Sequence, residues 1–171
     1  MRVLAVAVLM LLTARSAVTA QAAQNPEDVA TLDGIIKAYY EVVSGPAGEK
    51  ADRERDVFLH HPSALVAITS VDANGTPTLV AMSIGEYHDR FGGPRPEGFF
   101  EFELHREVQR FGNITHVWST YAASLTPGGE PFTRGINSIQ LYNDGERWWI
   151  TSWIYDSERA GNSIPPQYLP E

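Results

Sequence analysis

The region that most constrains the fold spans residues 98–159, where four β-rich segments follow one another with turn signals between them. The segments read FFEFELHREVQRF, ITHVWSTYAASL, FTRGINSIQLY and RWWITSWIYDSE. They are separated by Gly112-Asn113, by a Pro/Gly-rich loop at residues 126–131, and by Asn143-Asp144-Gly145. Runs of β-branched and aromatic residues bounded by Gly, Asn and Pro are typical of strands joined by turns. The sequence therefore predicts a meander of four long antiparallel strands.

The segment before this meander predicts two helices, a strand pair and a short helix. Apolar residues recur at helical spacing from Leu32 to Val43, and a second, more polar helix is expected at residues 49–59. Residues 64–71 and 78–82 flank an Asp-Ala-Asn-Gly turn signal, which favours a hairpin. Ser83 and Glu86 have the spacing of a capping box and predict a short helix ending near Phe91. Residues 160–171, with three prolines, predict a flexible C-terminal tail.

The first 22 residues are predicted to be a signal peptide. Arg2 precedes the apolar run VLAVAVLMLLTA, which is shorter than the roughly 20 residues needed to span a bilayer. Small residues follow, and they suit cleavage after Ala20 or Ala22. We therefore expect a periplasmic or secreted protein, with no membrane association once the signal peptide is removed.

Composition narrows the possible partners and cofactors. A chain of 171 residues fits one domain, and a net charge of -8 disfavours nucleic acid as a partner. The chain has no cysteine, so it has neither disulfides nor a zinc-thiolate site. No nucleophile elbow, phosphate loop or dinucleotide fingerprint is present, and no two-histidine-one-carboxylate spacing stands out. We expect no cofactor and no metal.

The order of the elements resembles the nuclear transport factor 2-like superfamily, also called SnoaL-like or ketosteroid-isomerase-like. The resemblance is carried by Phe58-Leu59-His60-His61-Pro62, by Arg110-Phe111-Gly112-Asn113 and by NDGERWWI at residues 143–150. It covers residues 25–159 and implies an α+β, cone-shaped fold in which N-terminal helices pack on a curved antiparallel sheet around a pocket. It also implies a homodimer. It implies no particular chemistry, because such folds carry many activities.

The turns predict which side chains share a row of the sheet. With Gly112-Asn113 as a two-residue loop, His105 lies opposite Thr120 and Glu107 lies opposite Trp118. Pairing Leu125 with Phe132 across the middle loop places Thr120 opposite Asn137. A two-residue loop at Asp144-Gly145 then places Asn137 opposite Ser152. The result is a polar row of His105, Thr120, Asn137 and Ser152 within an apolar surround, as a small-molecule pocket requires. A one-residue slip in the middle loop would exchange the faces.

This row supplies the candidate site. His105 is the predicted acid or base, because imidazole titrates near neutral pH, and Glu103 lies two residues away to assist it. The other candidate substrate contacts are His61, Tyr39, Trp118, Thr120, Asn137 and Ser152. The competing interpretation is that Glu101, Glu103, His105 and Glu107 form a solvated stripe opposite Phe100, Phe102, Leu104 and Val108.

Three functions remain open from the sequence. The first is an exported protein that binds a small, partly apolar ligand without turnover. The second is a cofactor-free isomerase, dehydratase or hydrolase that uses a pocket histidine for proton transfer. The third is a dimeric interaction module with an exposed aromatic face made of Trp149, Trp153 and Tyr155.

Overall fold

The computed structural model describes residues 24–170, so the predicted signal peptide lies outside the described residues. Four helices precede or interrupt the strands: α1 (Glu27–Ala30), α2 (Leu32–Val42), α3 (Arg53–Leu59) and α4 (Ile84–Phe91). The strands are β1 (His60–Val71), β2 (Pro77–Ser83), β3 (Phe100–Phe111), β4 (Ile114–Ser124), β5 (Pro131–Asn143) and β6 (Trp148–Ser157). Within the described part of the chain, no helix is both long and apolar enough to cross a membrane.

Local signals explain where the helices begin. Thr31 is extended and its side chain accepts a hydrogen bond from the Gly34 amide, so α2 begins at Leu32, where the predicted apolar stripe begins, and α1 is a separate turn before it. Asp52 caps α3 in the same way through the Arg55 amide. The predicted capping box at α4 is confirmed: Ser83 accepts from the Glu86 amide, and the Glu86 side chain accepts from the Ser83 amide. These bonds satisfy amides that a helix start leaves without partners.

The strands form one six-stranded sheet in the order β2-β1-β6-β5-β4-β3. The four strands predicted as a meander are neighbours and antiparallel, while β1 and β6 run parallel, so the sheet is mixed. The helices pack on this sheet, which gives the predicted α+β architecture.

The sheet has an inner face, covered by the helices, and an outer face. Val117, Ser119 and Tyr121 of β4 belong to the inner face, and buried apolar residues of α2 pack there with Ile139, Leu141, Ile150 and Trp153. Trp118, Thr120, Ile136, Ser138 and Ile154 belong to the outer face. The core therefore lies between α2 and the inner face.

The β3–β4 hairpin has the predicted register. Phe111 pairs with Ile114, Glu107 with Trp118 and His105 with Thr120. A two-residue turn determines this pairing locally, which is why the sequence predicts it.

The predicted register beyond β4 is wrong. Thr120 pairs with Ile136 instead of Asn137, because the strands begin to pair at Ser124–Pro131 and not at Leu125–Phe132. The shift between Ala123 and Ser124 then recovers one of the two residues of difference. Asn137 pairs with Tyr155, three residues from the predicted partner Ser152. Two features cause this: Asp144–Arg147 forms a four-residue turn, in which the Asp144 carboxylate accepts from the Glu146 and Arg147 amides, and a bulge follows near Thr151.

The C-terminal tail packs on the outer face, unlike the loose segment that the sequence predicts. Ile164 is buried, and a short 3-10 helix spans Pro166–Tyr168. The Thr120 hydroxyl donates to the Tyr168 carbonyl oxygen at 2.6 Å, and the Ile164 amide donates to the Glu158 carboxylate at 3.1 Å. The tail therefore covers part of the outer face.

Candidate functional site

A cavity of about 190 Å³ lies between the helices and the inner face of the sheet. We call it the inner cavity. The helices contribute Tyr39, Asp56 and Tyr87, the residue after α2 contributes Val43, and the segment before β3 contributes Arg95 and Phe99. The sheet contributes the remaining lining residues, which are Glu101, Tyr121, Thr133, Asn137, Trp153, Tyr155 and Ser157. The lining is mainly aromatic and includes two carboxyl groups and one guanidinium.

Glu101 is the cavity carboxyl whose pKa this setting moves towards neutral pH. Burial raises its pKa to about 7, although the amide of Asn137 and the charge of Arg95 act in the opposite direction. Asn137 Nδ2 donates to Glu101 Oε1 at 3.2 Å, and the Glu101 backbone amide donates to Ser44 Oγ at 3.0 Å. A cavity carboxyl that titrates near neutral pH can both accept and donate a proton.

Tyrosines surround this carboxyl. Burial raises the pKa of Tyr39 and Tyr155, and the charge of Glu101 is the next contributor for both. Burial also raises the pKa of Tyr87, with Asp56 and Glu101 contributing further. Within residues 24–170, none of these three phenol hydroxyls has a hydrogen-bond partner. They are therefore available to a ligand as donors.

A chain of hydrogen bonds fixes the polar floor of the inner cavity. Asn137 Nδ2 also donates to Tyr40 Oη at 3.2 Å, and Tyr40 Oη lies 2.6 Å from Ser119 Oγ. Ser119 Oγ donates to Glu103 Oε1 at 2.5 Å, and Glu103 Oε2 accepts from Arg106 Nε at 2.8 Å. Since Ser119 donates to Glu103, the Tyr40 hydroxyl is the donor to Ser119. The Tyr40 oxygen therefore accepts one hydrogen of the Asn137 amide, and the other hydrogen is donated to Glu101 Oε1.

A second polar cluster, made of Asp56, His60, His88 and Trp153, lies beside the inner cavity. His88 Nε2 donates to Asp56 Oδ2 at 2.8 Å. Trp153 Nε1 donates to His60 Nε2 at 3.0 Å, so the hydrogen of His60 is on Nδ1, which donates to the Asp56 carbonyl oxygen at 2.8 Å. Burial opposes ionisation of Asp56, but the two histidines outweigh it and lower the carboxyl pKa. The cluster anchors α3 and α4 to β6.

The structure brings three of the predicted site residues to the inner side of the sheet. Tyr39 and Asn137 line the inner cavity, and Glu103 contacts Ser119 behind it. Their roles in ligand binding or catalysis stay predictions.

The other predicted site residues lie elsewhere. His105 pairs with Thr120 on the outer face, because a bulge between Glu103 and His105 sends these two side chains to opposite faces. Trp118 packs against Tyr168 there, with ring centroids 6.0 Å apart. Ser152 pairs with Leu65 of β1, whose side chain is exposed. His61 is bonded to Ser63 and packs edge-on against Trp149. The predicted polar row therefore does not form.

The candidate site expected from the sequence does not include Glu101, Arg95 or Tyr87, nor most of the other residues that line the inner cavity. Glu101 belongs to the alternating polar stripe of β3 in the sequence. The sequence favours His105 over Glu101 because imidazole ordinarily titrates near neutral pH and a carboxyl group does not. Arg95 lies in the Gly-Pro-Arg-Pro segment after α4, and nothing in its local pattern indicates that it lines a cavity. Residues 24–170 contain no group of three potential metal ligands.

A larger cavity, of about 400 Å³, lies on the outer face beneath the C-terminal tail. Its walls are mainly apolar, and both of its carboxylates already have partners. Asp156 pairs with Arg159, and Glu158 pairs with Arg134. The outer cavity also contains the unpartnered Trp118 Nε1, but the inner cavity contains Glu101, whose carboxyl pKa is about 7, so we assign the candidate site there.

Comparison with known proteins identifies the fold. No family model and no curated protein matches the chain. Among solved structures, a candidate ketosteroid isomerase from Parabacteroides distasonis aligns with a TM-score of 0.51 at 14% identity, covering 74% of this chain and 87% of that one. The beta subunit of a candidate aromatic-ring-hydroxylating dioxygenase from Novosphingobium aromaticivorans aligns with a TM-score of 0.51 at 17% identity, covering 73% and 87%.

A third solved structure, an NTF2-like protein of unknown function from Shewanella baltica, aligns with a TM-score of 0.49 at 16% identity, covering 73% of this chain and 89% of that one. At such identities the likeness concerns the fold and not the activity. The two structures with TM-scores of 0.51 show that the chain has the ketosteroid-isomerase-like fold, also called nuclear transport factor 2-like, which its sequence motifs resemble.

Proposed function

We propose that this protein binds a small, partly apolar molecule in the inner cavity. The observation that carries the proposal is the grouping of Glu101 with three unpartnered phenol hydroxyls among aromatic walls. Apolar walls with a few fixed polar groups are typical of ligand sites. The volume of about 190 Å³ limits the ligand to roughly a single ring with small substituents.

Binding of phenol, a neutral one-ring probe, tests this proposal. We expect a saturable rise in melting temperature with phenol, because a ligand that binds only the folded state stabilises it. Thr133→Trp should abolish the rise by filling the cavity from β5. Val108→Trp, at an exposed position of β3, should leave it unchanged. Equal responses of both variants and the parent would show that phenol binds elsewhere.

The same site supports a second function, a cofactor-free proton-transfer reaction of the isomerase type. The observation that favours it is the Glu101 pKa of about 7, which suits a general base at neutral pH. Ionised Glu101 would take a proton from a carbon beside a carbonyl and return it to another carbon of the same molecule. A phenol hydroxyl from Tyr39, Tyr87 or Tyr155 would donate to the enolate oxygen. This replaces the pocket histidine expected from the sequence, since none of the five histidines lines the inner cavity.

Deuterium exchange into cyclohexanone in D₂O tests this second function. The parent should accelerate exchange at the carbons beside the carbonyl, with a rate that rises through pH 7 and then levels. Glu101→Gln should lower the rate by about 10²–10⁴-fold, the usual contribution of a general base. Glu130→Gln, at an exposed loop position, is the matched control. Equal rates for parent and Glu101→Gln would remove the enzymatic proposal and leave the binding proposal intact.

We also propose that the protein is exported, to the periplasm or the medium, with residues 1–22 removed as a signal peptide. The support is the sequence pattern around Arg2 and Ala20. Mass spectrometry of the protein from a secreting bacterial host should give an N-terminus after Ala20 or Ala22. An intact N-terminus in the cytoplasmic fraction would contradict export.

A homodimer is a further proposal, supported by exposed apolar residues at one end of the outer face. Phe111 is 84% exposed and Ile114 is 63% exposed, and these two residues are paired across the β3–β4 hairpin. The aromatic face expected from the sequence is divided, because Trp153 and Tyr155 line the inner cavity while Trp149 pairs with Tyr142 beyond the β6 bulge. Light scattering should give twice the chain mass for the parent and the chain mass for a Phe111→Ser/Ile114→Ser double variant. A monomeric parent would contradict the proposal.

A further inference from the structure

Arg95 lines the inner cavity and, within residues 24–170, has no carboxylate partner. Its Nη1 donates to the Val43 carbonyl oxygen at 2.6 Å, and its guanidinium carbon lies 4.5 Å from the centre of the Phe99 ring. Among the described residues, no aspartate or glutamate oxygen lies within 4.0 Å of it. One of the five guanidinium hydrogens is used, so four remain available.

Five of the nine arginines in residues 24–170 contact a carboxylate, and Arg90, Arg110 and Arg147, which like Arg95 do not, lie outside the inner cavity. Arg55, Arg106 and Arg134 each contact at least one carboxylate at 2.9 Å or less. Glu101, the cavity carboxyl on which the charge of Arg95 acts, is itself driven towards the neutral form by burial. The inner cavity therefore contains a fixed positive charge that the chain does not neutralise by contact.

We propose that the ligand of the inner cavity is a small aromatic monocarboxylate, whose carboxylate is bound by Arg95. A guanidinium and a carboxylate match as a planar, two-point hydrogen-bonded pair, and Arg95 has the free hydrogens for it. The ring of such an acid would occupy the aromatic part of the cavity, beside Tyr39, Tyr87 and Trp153. This inference rests on the proposed ligand-binding function and specifies the ligand class.

Binding should be linked to the protonation of Glu101. Groups from every neighbouring element face this carboxyl: Tyr39 and Tyr40 from α2, Asp56 from α3, Tyr87 from α4, Arg95 from the following loop, Glu103 from β3, Tyr121 from β4, Asn137 from β5 and Tyr155 from β6. Apart from Arg95, the ionisable groups in this set are acids, namely the carboxyl groups of Asp56 and Glu103 and the phenols of the tyrosines. An anionic ligand is therefore repelled when Glu101 ionises, and its affinity should fall as pH rises through about 7.

Calorimetric titration with benzoate and its neutral counterpart benzamide tests the inference. The parent should bind benzoate about tenfold or more tighter than benzamide at pH 6, since a charge-assisted pair is lost with the amide. Arg95→Gln should lose this preference while still binding benzamide. Arg95→Lys should retain part of it, because the charge remains but the two-point geometry does not. Arg90→Gln, an exposed arginine of α4, is the control and should behave like the parent.

The outcomes separate this inference from the proposed function. Equal affinity of the parent for benzoate and benzamide, or a preference that survives in Arg95→Gln, overturns the carboxylate assignment and leaves the cavity as a ligand site. Absence of binding by phenol, benzamide and benzoate overturns both. Benzoate affinity that does not fall between pH 6 and pH 8 also contradicts the inference, because it would show that the anion does not bind near Glu101.

Discussion

Glu101 is a carboxyl group whose ionisation is made less favourable by burial. Its neighbours include the aromatic rings of the inner cavity, which cannot solvate a negative charge as water does. Asn137 supplies one hydrogen bond and Arg95 an attractive charge, but neither compensates for burial, and the pKa rises from 4.5 to about 7. The same carboxyl thus determines both pH-dependent stability and the chemistry available in the cavity.

Glu101→Gln should change how stability depends on pH. Because the folded-state pKa is raised, the folded protein holds the Glu101 proton more tightly than the unfolded chain does. The contribution of Glu101 to stability is therefore full below about pH 4.5 and declines as pH rises through about 7. Relative to the parent, Glu101→Gln should gain up to about 3 kcal/mol in unfolding free energy between pH 4.5 and pH 8.

Urea unfolding of the parent and of Glu101→Gln at both pH values measures this difference. Glu130→Gln, at an exposed loop position, should show no comparable change. A difference between parent and Glu101→Gln that is the same at both pH values would mean that Glu101 is solvated in the folded protein.

Tyr40 connects the polar groups behind the cavity, and the contribution of its hydroxyl to the free energy of unfolding can be measured. Tyr40→Phe would remove the acceptor for Asn137 and the donor to Ser119, both of which are buried. We expect a loss of about 1–3 kcal/mol in unfolding free energy, the cost of leaving buried polar groups unpaired. Tyr142→Phe, on the exposed end of β5, should cost almost nothing. A double variant with Ser119→Ala should lose less than the sum of the single variants, since they share one interaction. Strict additivity would contradict the hydrogen-bond chain.

At the scale of elements, two bulges decide which residues reach the cavity. In β3, the pairing shifts between Glu103 and His105, so Glu101 and Glu103 face the helices while His105 and Glu107 share the outer face with Thr120 and Trp118. In β6, the shift near Thr151 places Trp149 and Trp153 on opposite faces. An extra residue on one strand reverses the alternation beyond it, because successive side chains point to opposite sides.

The start of α4 offers a test at the same scale. Ser83→Ala should lower the unfolding free energy by about 1 kcal/mol, since it removes the side-chain acceptor for the Glu86 amide. Ser83→Thr keeps the hydroxyl and should restore most of that stability. Urea unfolding with an unchanged slope measures both changes. An alanine variant as stable as the parent would show that the cap contributes nothing, and that α4 is held only by contacts such as His88–Asp56.

At the scale of the whole molecule, the C-terminal tail packs on the outer face of the sheet and contributes to the stability of the domain. Deleting residues 160–171 would remove the buried Ile164 and expose the surface on which it packs. It would also remove the Thr120–Tyr168 hydrogen bond. We expect a loss of about 3–5 kcal/mol in unfolding free energy, from one buried isoleucine and from the hydrogen bonds of the Tyr168 carbonyl oxygen and the Ile164 amide. Deleting only residues 170–171 is the control. An unchanged denaturation midpoint for the longer deletion would support the flexible tail that the sequence predicts.

What the sequence determines by itself is local. The capping box at Ser83 and the β3–β4 pairing from Gly112-Asn113 depend on residues close together in the chain, and the order of the elements follows from periodicity and turn signals. Together with the resembled motifs, these suffice for the α+β fold.

What the tertiary structure alone decides is which side chains meet. The bulges, the middle loop and the four-residue turn at Asp144–Arg147 each change the pairing by one or more residues, and a single shift exchanges the two faces of a strand. The sequence places Tyr39, Asn137 and His105 in one candidate site, whereas in the structure Tyr39, Asn137 and Glu101 line the inner cavity and His105 lies on the outer face. The pKa of Glu101 and the unpaired charge of Arg95 depend on burial among distant elements, and burial of that kind is a property of packing that no local pattern encodes.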